Sequence, residues 1–447
     1  MRDQSTLLTQ GPIAKTLAAF ALPLFLGNLF QQMYNTVDSL VVGNFIGSDA
    51  LAAVASSGHT AFLLIGFLQG VFVGAGVIIA RYYGARDAER LRISVHTTVF
   101  FALLGGGLLS ALGVVFSPVI LKLMGTPETV LPNSLVYFRI YFGGLLSAVL
   151  YNCVNGILQA LGDSRHPLYY LIFSSLVNVA LDLVFVVVFR WGVAGVAVAT
   201  VVSQAASAAL GFYHLSRHGG EARVSWRDLR PDWPMLKQIL RMGVPSGLQN
   251  SIISFANMVV QSHINSFGAM AMAGSGTFLK LEGFAFLPIS SFALSITTFI
   301  GQNMGACQHE RARRGAVFAL CAGAVMAQLL ALLILFNIRP LMMAFGAEPE
   351  VVAFGVAQAR IATPFYFLPA MSHCMAGILR GLGKAVVPML VMLVCWCLIR
   401  VGYLSVALRI NHDIRLLYAA YPITWALSAA TLLICCLRVR WDGQEPD

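Results

Sequence analysis

The stretch ARYYGARDAERLR, residues 80–92, returns in altered form as GQNMGACQHERAR at residues 301–313. Each copy follows a long apolar run. Five residues of the first copy recur at one fixed spacing: Gly84, Ala85, Glu89, Arg90 and Arg92 return as Gly305, Ala306, Glu310, Arg311 and Arg313. Repetition at a constant spacing indicates that the chain consists of two related halves.

The same spacing relates other parts of the sequence. GILQALG at 156–162 matches GILRGLG at 377–383, and Arg139-Ile140 matches Arg360-Ile361. The register predicts an N-terminal six-helix lobe at 1–214, a cytoplasmic linker at 215–238 and a C-terminal six-helix lobe at 239–447. Because six is even, we expect both lobes to have one orientation, related by an axis along the membrane normal.

The composition places the chain in a lipid bilayer. Of its 447 residues, 58% are hydrophobic and only 11% are charged, whereas soluble domains carry about 25% charged residues. Apolar runs long enough to cross about 30 Å of hydrocarbon recur throughout, which favours helices over a β-barrel. We therefore predict an all-α integral membrane protein with about twelve transmembrane helices in two halves related by internal duplication. The expected spans are 14–46, 51–80, 93–116, 134–160, 168–189, 193–214, 239–267, 271–300, 315–337, 353–379, 387–410 and 415–437.

The net charge of +10 does not indicate nucleic-acid binding, because the basic residues cluster in alternate loops. They follow spans two, six and eight and close the chain: Arg81, Arg86, Arg90, Arg92, Arg217, Arg223, Arg227, Arg230, Arg311, Arg313, Arg314, Arg438 and Arg440. The positive-inside rule predicts that these loops and both termini are cytoplasmic, in a plasma (inner) membrane. The polar N-terminus MRDQSTLLTQGP lacks a cleavable signal pattern, so we expect the first span to be retained.

Two aspartates interrupt runs otherwise suited to lipid. Asp38 lies in NTVDSLVVGNFIG (35–47), and Asp182 lies in VNVALDLVFVVVF (177–189). Asn178 shares a helix face with Asp182, and Thr200 on span six has a similar depth, about 10–12 Å below the outer surface. Either each carboxylate only ties helices together, or the group binds a proton or a cation such as sodium, since two ionised carboxylates in a low-dielectric cavity repel.

Further polar side chains indicate the walls of a cargo cavity. On spans one and four these are Gln31, Tyr34, Tyr137, Asn152 and Asn155, and on spans seven, eight and eleven they are Asn257, Gln261, Glu282 and Arg400. Tyr137 is equally compatible with an aromatic belt at the membrane interface. Glu282 and Arg400 have similar depths, so a structural ion pair and a cargo-binding role are both open.

At this point the sequence resembles the multidrug and toxic compound extrusion (MATE) transporters. The resemblance rests on Pro23 and Asp38 in span one, NVALD around Asp182, and the paired motifs GILQALGD and GILRGLGK. It implies a proton- or sodium-coupled antiporter that exports organic cations. The family's ion site would map onto Asp38, Asn178, Asp182 and Thr200, with Gln31, Tyr34, Tyr137 and Asn152 on the adjoining wall. One family branch carries an acidic residue midway along span seven, where this chain has Ile253 or its neighbours. The chain therefore departs from that branch at the position of a cation site in the second half.

The expected function is therefore secondary active multidrug export by alternating access, with Pro23 as a hinge in span one. A flippase for a lipid-linked saccharide is one alternative, although it should present several cavity cations to a diphosphate. A membrane-embedded enzyme is the other, but the sequence has no HExxH or acidic-rich metal motif. We expect no enzyme activity and no cofactor, with cationic drugs and the lipid bilayer as partners, no nucleic acid, and a monomeric chain.

Overall fold

The computed structural model describes residues 7–45, 48–123, 128, 131–344 and 348–441, and for residues 34–65 it describes the backbone alone. Within these ranges the protein is helical and contains no strand. The helices of the first half are α1 (Ile13–Phe45), α2 (Ser48–Ala85), α3 (Ala88–Leu123), α4 (Leu131–Gly143), α5 (Leu145–Ala160), α6 (Arg165–Asp182) and α7 (Val193–His218).

The second half continues the all-helical pattern. Its helices are α8 (Trp233–Asn265), α9 (Ala269–Gly305), α10 (His309–Phe336), α11 (Ile338–Ala344), α12 (Pro349–Ala362), α13 (Phe367–Gly381), α14 (Val386–Met392), α15 (Arg400–Ile410) and α16 (Ile414–Arg438). Two π-helical segments extend this set: Leu183–Val188 continues α6, and Leu393–Ile399 joins α14 to α15. The segment between α7 and α8 contains two short 3-10 turns.

Over the part of the chain that the structure describes, each of the twelve predicted spans falls within a helix or a broken helix pair, or extends at most two residues beyond its end. In the described residues, nine helices are long and apolar enough to cross a membrane, or eleven when the bent pairs α4/α5 (45°) and α12/α13 (51°) are each taken as one span. Helix α8 is not among them, because its stripe of asparagine, glutamine and serine side chains makes it less apolar. The predicted fold class is confirmed.

The internal duplication is visible in the backbone. Helices α2, α3, α6 and α7 begin at residues 48, 88, 165 and 193, and their counterparts α9, α10, α14 and α16 begin at 269, 309, 386 and 414. Even an unusual turn is repeated: Arg86 and Cys307, which occupy matching positions, have φ of 55° and 56°. Few residues other than glycine adopt such a conformation, so its recurrence indicates a shared backbone rather than a shared side chain.

By packing, the described chain forms two compact units. The first contains Leu26–Gly243, and the second contains Leu7–Phe25 together with the chain from Val244 onward. Helices α1 and α8 therefore each begin in one unit and end in the other. The two crossing points lie close to Pro23 and Pro245, the prolines inside these helices.

Each unit has its own apolar core. In the first unit, Phe72, Val95, Phe138 and Val154 from α2, α3, α4 and α5 pack together with at most 3% of their surface exposed. Close helix contact depends on glycine at one point there, because a Cβ on Gly144 would lie 2.2 Å from the Val201 side chain on α7. The second unit has a corresponding core between α9, α10, α12, α13 and α16.

The start of α1 belongs to another cluster of the second unit. Leu8, Leu17 and Phe20, at most 3% exposed, pack against Ile296 and Phe299 of α9. At the start of α8, Met235 and Ile239 pack against Ala75 of α2 in the first unit. Burial of apolar residues thus explains why the start of α1 belongs to the second unit and the start of α8 belongs to the first.

Candidate functional site

A buried polar group lies between α6 and α7 in the first unit. Asn178 and Asp182 are one turn apart on α6 and expose 1% and 0% of their surface, and Thr200 on α7 exposes 9%. The Asn178 amide donates to Thr200 Oγ1 over 3.4 Å, and that hydroxyl donates to the Val196 carbonyl over 3.0 Å. The structure therefore brings together Asn178 and Thr200, two of the four residues expected from the sequence to form an ion site.

Asp182 lies at the last α-helical position before the π-helical segment Leu183–Val188. π-Helical turns inside membrane and soluble helices often accompany functional sites, because the wider turn displaces the following side chains. Together, the carboxylate, the amide and the hydroxyl of this group present the oxygen ligands that hard cations prefer, and the carboxylate is also the natural site for a proton.

The fourth expected site residue, Asp38, and the cavity residue Tyr34 lie outside the described side chains, and only their backbone in α1 is described. Gln31 is partly buried on the same helix. Pro23, the expected hinge, lies within α1, which is a single helix from Ile13 to Phe45. The roles of these four residues remain predictions.

The residues expected to line a cavity on span four lie on α4 and α5. Tyr137 is 8% exposed and packs in a small apolar cluster with Val186 and Val196, and its ring stacks on Tyr141 with centroids 5.9 Å apart. Asn152 donates to the Ala148 carbonyl at 2.8 Å and accepts from the Gln69 amide at 3.4 Å. Asn155, one turn further along α5, is partly buried.

The two charged residues expected at one depth in the second half lie in one unit but do not form an ion pair in the described ranges. Glu282, 8% exposed, accepts a hydrogen bond of 2.5 Å from the Tyr366 hydroxyl. Arg400 is fully buried and donates from Nε and Nη2 to Thr424 Oγ1 at 3.1 and 2.8 Å. The hypothesis of a direct Glu282–Arg400 salt bridge is therefore wrong, although the two charges still interact electrostatically.

Aromatic rings provide the environment of Arg400 instead. Its guanidinium carbon lies 5.0 Å from the Trp396 ring centre and 4.9 Å from that of Tyr421, a geometry in which ring quadrupoles attract a cation. Its Nη1 has no hydrogen-bond partner among the described residues. Sequence reasoning missed this aromatic surround, because spacing along one helix does not reveal which rings from α16 meet it.

Two other expected cavity residues lie on α8. Asn257 is exposed, and the Gln261 amide donates to Asn265 Oδ1 over 2.9 Å, which links the polar stripe along one face of the helix. On α9, Lys280 is also exposed. An exposed polar face on a helix of an otherwise apolar bundle is suited to a water-filled cavity rather than to lipid.

Comparison with known proteins agrees with the duplicated fold. The MatE family model matches residues 23–184 and again residues 245–404, once in each half. Two probable multidrug resistance proteins of Bacillus subtilis are similar to the chain, each 32% identical: YpnP, aligned over 68% of both proteins, and YoeA, aligned over 74% of both.

A solved structure shows the same fold. A MOP superfamily transporter from Pyrococcus furiosus superposes over 98% of both chains with a TM-score of 0.91 at 22% identity. The Pyrococcus furiosus protein is a transporter, and both Bacillus subtilis relatives are probable multidrug resistance proteins. With the family pattern present in both halves and relatives at 32% identity over two thirds or more of the chain, the protein belongs to the MatE family of multidrug and toxic compound extrusion transporters.

Proposed function

We propose that this transporter is an antiporter, which exports lipophilic organic cations in exchange for a proton or a sodium ion. The observation that carries the proposal is Asp182, a carboxylate without exposed surface, beside the linked pair Asn178 and Thr200. A full negative charge is costly in a low-dielectric interior, so a carboxylate buried there favours the binding of a proton or a cation. Loading and release of that ion is the basis of the proposed coupling.

Coupling requires the ion and the cargo to bias one conformational equilibrium, because a gradient drives transport only through different affinities in the two states. Helix α1 is suited to this role, since it carries Asp38 and passes from one unit to the other at Phe25–Leu26. Pro23 lacks the amide hydrogen that would complete the helical ladder, which makes this part of α1 easier to bend. We infer that Pro23 is the hinge through which the ion site acts.

The test is efflux of a cationic dye from proteoliposomes, driven in turn by a proton gradient and by a sodium gradient. Asp182→Asn removes the charge with almost no change in volume, so we expect gradient-driven efflux to be lost while folding is retained. Asp87→Asn, in an exposed turn, is the matched control and should transport normally. Full activity of Asp182→Asn at equal expression would overturn the proposal.

A second variant tests whether Asp38 shares this site. If both carboxylates act as one unit, the double variant Asp38→Asn/Asp182→Asn should be no worse than either single variant. Losses that multiply in the double variant would mean that the two aspartates act independently.

The orientation of the chain is part of the proposal. We propose that the protein lies in the inner membrane with both termini and the arginine-rich turns in the cytoplasm, because basic loops are retained on that side during insertion. We also propose that the transporter works as a monomer, since each chain contains both halves of the duplicated fold.

One observation favours a different cargo. Lys280 is exposed along α9, and Arg400 is a second cation in the same unit, although it is buried and its charge interacts with Glu282. Cations of this kind would suit an anionic cargo, such as the diphosphate of a lipid-linked saccharide. Susceptibility of cells with and without the gene separates the two candidates: a change confined to cationic drugs supports the antiporter, and a change confined to envelope synthesis supports the flippase.

A further inference from the structure

The turn between α5 and α6 carries a group of ionisable side chains that the transport proposal does not use. Asp163 Oδ1 accepts hydrogen bonds from the backbone amides of Arg165 and His166 at 3.0 and 3.1 Å. Its other oxygen, Oδ2, lies 2.5 Å from His166 Nδ1. The start of α6 thus presents a carboxylate and an imidazole that already face each other.

Helix α7 adds a second imidazole. The rings of His166 and His214 have centroids 4.1 Å apart, and one ligand atom from each of Asp163, His166 and His214 lies within 4.8 Å of the other two. All three side chains are partly buried. One turn further along α7, the ring of His218 lies 5.4 Å from that of His214 and is exposed.

The duplicated fold shows that the backbone conformation of this turn does not depend on Asp163, His166 or His214. The turn in the second half is the same: Gly162 and Gly383 have φ of 85° and 88°, and the amides of Asp163 and Lys384 donate to the equivalent carbonyls at 2.9 and 2.8 Å. Yet the residues that match Asp163, His166 and His214 are Lys384, Val387 and Cys435. The Asp-His-His set is therefore a property of the first half alone and not a requirement of the turn.

Asp163, His166 and His214 each offer one ligand atom to a common point, since these atoms all lie within 4.8 Å of one another. One carboxylate and two imidazoles are the ligand types that Zn²⁺ and related divalent transition metals favour, with water completing the coordination.

We propose that Asp163, His166 and His214 form a binding site for a divalent transition metal such as Zn²⁺, which would tie the α5–α6 turn to the last turns of α7. In the absence of metal, the hydrogen bond between His166 and Asp163 holds the group together. A bound ion would replace the shared proton and restrict the movement of α6 against α7.

The experiment uses the full-length transporter in detergent, freed of chelator and with any histidine tag removed. Addition of Zn²⁺, but not of Mg²⁺, should raise the melting temperature, because a ligand that binds the folded state alone stabilises it. Co²⁺ should give visible absorption bands of a histidine-ligated site at one equivalent per chain. His166→Gln and His214→Gln should each abolish both signals, and His412→Gln, which alters an exposed histidine elsewhere, should preserve them.

The outcomes separate this site from the transport proposal, since neither signal depends on cargo or on an ion gradient. A melting temperature and a Co²⁺ spectrum of His166→Gln and His214→Gln that match the wild type would overturn the metal site. So would an absence of any response in the wild type. If the glutamine variants fail to fold, Asp163→Asn, which keeps the size of the side chain, gives the same readouts.

Discussion

Arg311, in the first turn of α10, holds the residues that precede α1. Its guanidinium donates to the carbonyl oxygens of Gly11, Gln10 and Leu8 at 2.7, 2.9 and 3.2 Å, and its carbon lies 5.5 Å from the ring centre of Phe299. Every one of these residues belongs to the second unit. We predict that Arg311→Ala makes the segment before α1 open more often, without unfolding the rest of the protein.

The size of the effect follows from the three hydrogen bonds. Two of them are exposed to solvent, so we assign about 1 kcal/mol to each bond, within the usual range for a net contribution. The total is about 3 kcal/mol, which corresponds to about a hundredfold rise in the open population at about 1.4 kcal/mol per factor of ten. The segment should still dock most of the time, because Leu8 stays buried and its amide donates to Gln302 Oε1 at 2.9 Å.

Hydrogen exchange measured by mass spectrometry reads this opening directly. The peptide that covers residues 7–16 should exchange about a hundredfold faster in Arg311→Ala, in line with the estimate above. Arg90 is the matched control: it occupies the equivalent position in the first half and is largely exposed. Among the described residues, its side chain forms a salt bridge with Asp87 at 3.6 Å and lies over the ring of Tyr82. Unchanged exchange in Arg311→Ala, or an equal increase in Arg90→Ala, would refute the reasoning.

Three further predictions concern packing, acid stability and orientation. A Cβ on Gly377 would lie 2.5 Å from a backbone carbonyl of α9, whereas a Cβ on the matching Gly156 meets nothing closer than 3.4 Å; Gly377→Ala should therefore cost about 1–3 kcal/mol, and equal melting temperatures of the two alanine variants would contradict this. Because the pKa of Asp163 is depressed, its stabilising effect is complete above the ordinary pKa of an aspartate and is lost as the pH falls through its pKa in the folded state. The stability difference between metal-free wild type and Asp163→Asn should thus shrink as the pH falls below about 4. It should also shrink as the pH rises through the pKa of His166, which the hydrogen bond to Asp163 raises, and a constant difference across both ranges would argue against it. Cys307, exposed in the α9–α10 turn, should react with an impermeant maleimide only after cells are permeabilised, in a variant without the other cysteines; reaction in intact cells would reverse the proposed orientation.

The sequence was sufficient to predict the all-helical fold and its duplication, because both leave periodic signals. Long apolar runs mark each span, and the repeated stretches at 80–92 and 301–313, which contain Arg90 and Arg311, fix the register of the two halves. Helix periodicity also placed Asn178 and Asp182 on one face, and the contact of Asn178 with Thr200 followed from similar depth.

Depth alone did not identify the partners of the charged residues in the second half. Glu282 and Arg400 were assigned to one depth, but depth along a helix says nothing about rotation around its axis. The structure pairs Glu282 with Tyr366, which is 84 residues away in sequence, and surrounds Arg400 with rings. The group formed by Asp163 and His214 was missed for a similar reason, since its members lie on separate helices and no local spacing relates them.

The exchange of helix ends between the two units has a consequence for the origin of the fold. If the chain were cut in the segment 219–232, each fragment would carry the first part of a helix that packs in the unit built mostly by the other fragment. Neither fragment would bury its own core completely, so the two should form a stable protein only when made together. A single ancestral half would have met the same condition by forming a dimer that swaps its N-terminal helix ends, and fusion of two such genes would make that swap permanent within one chain.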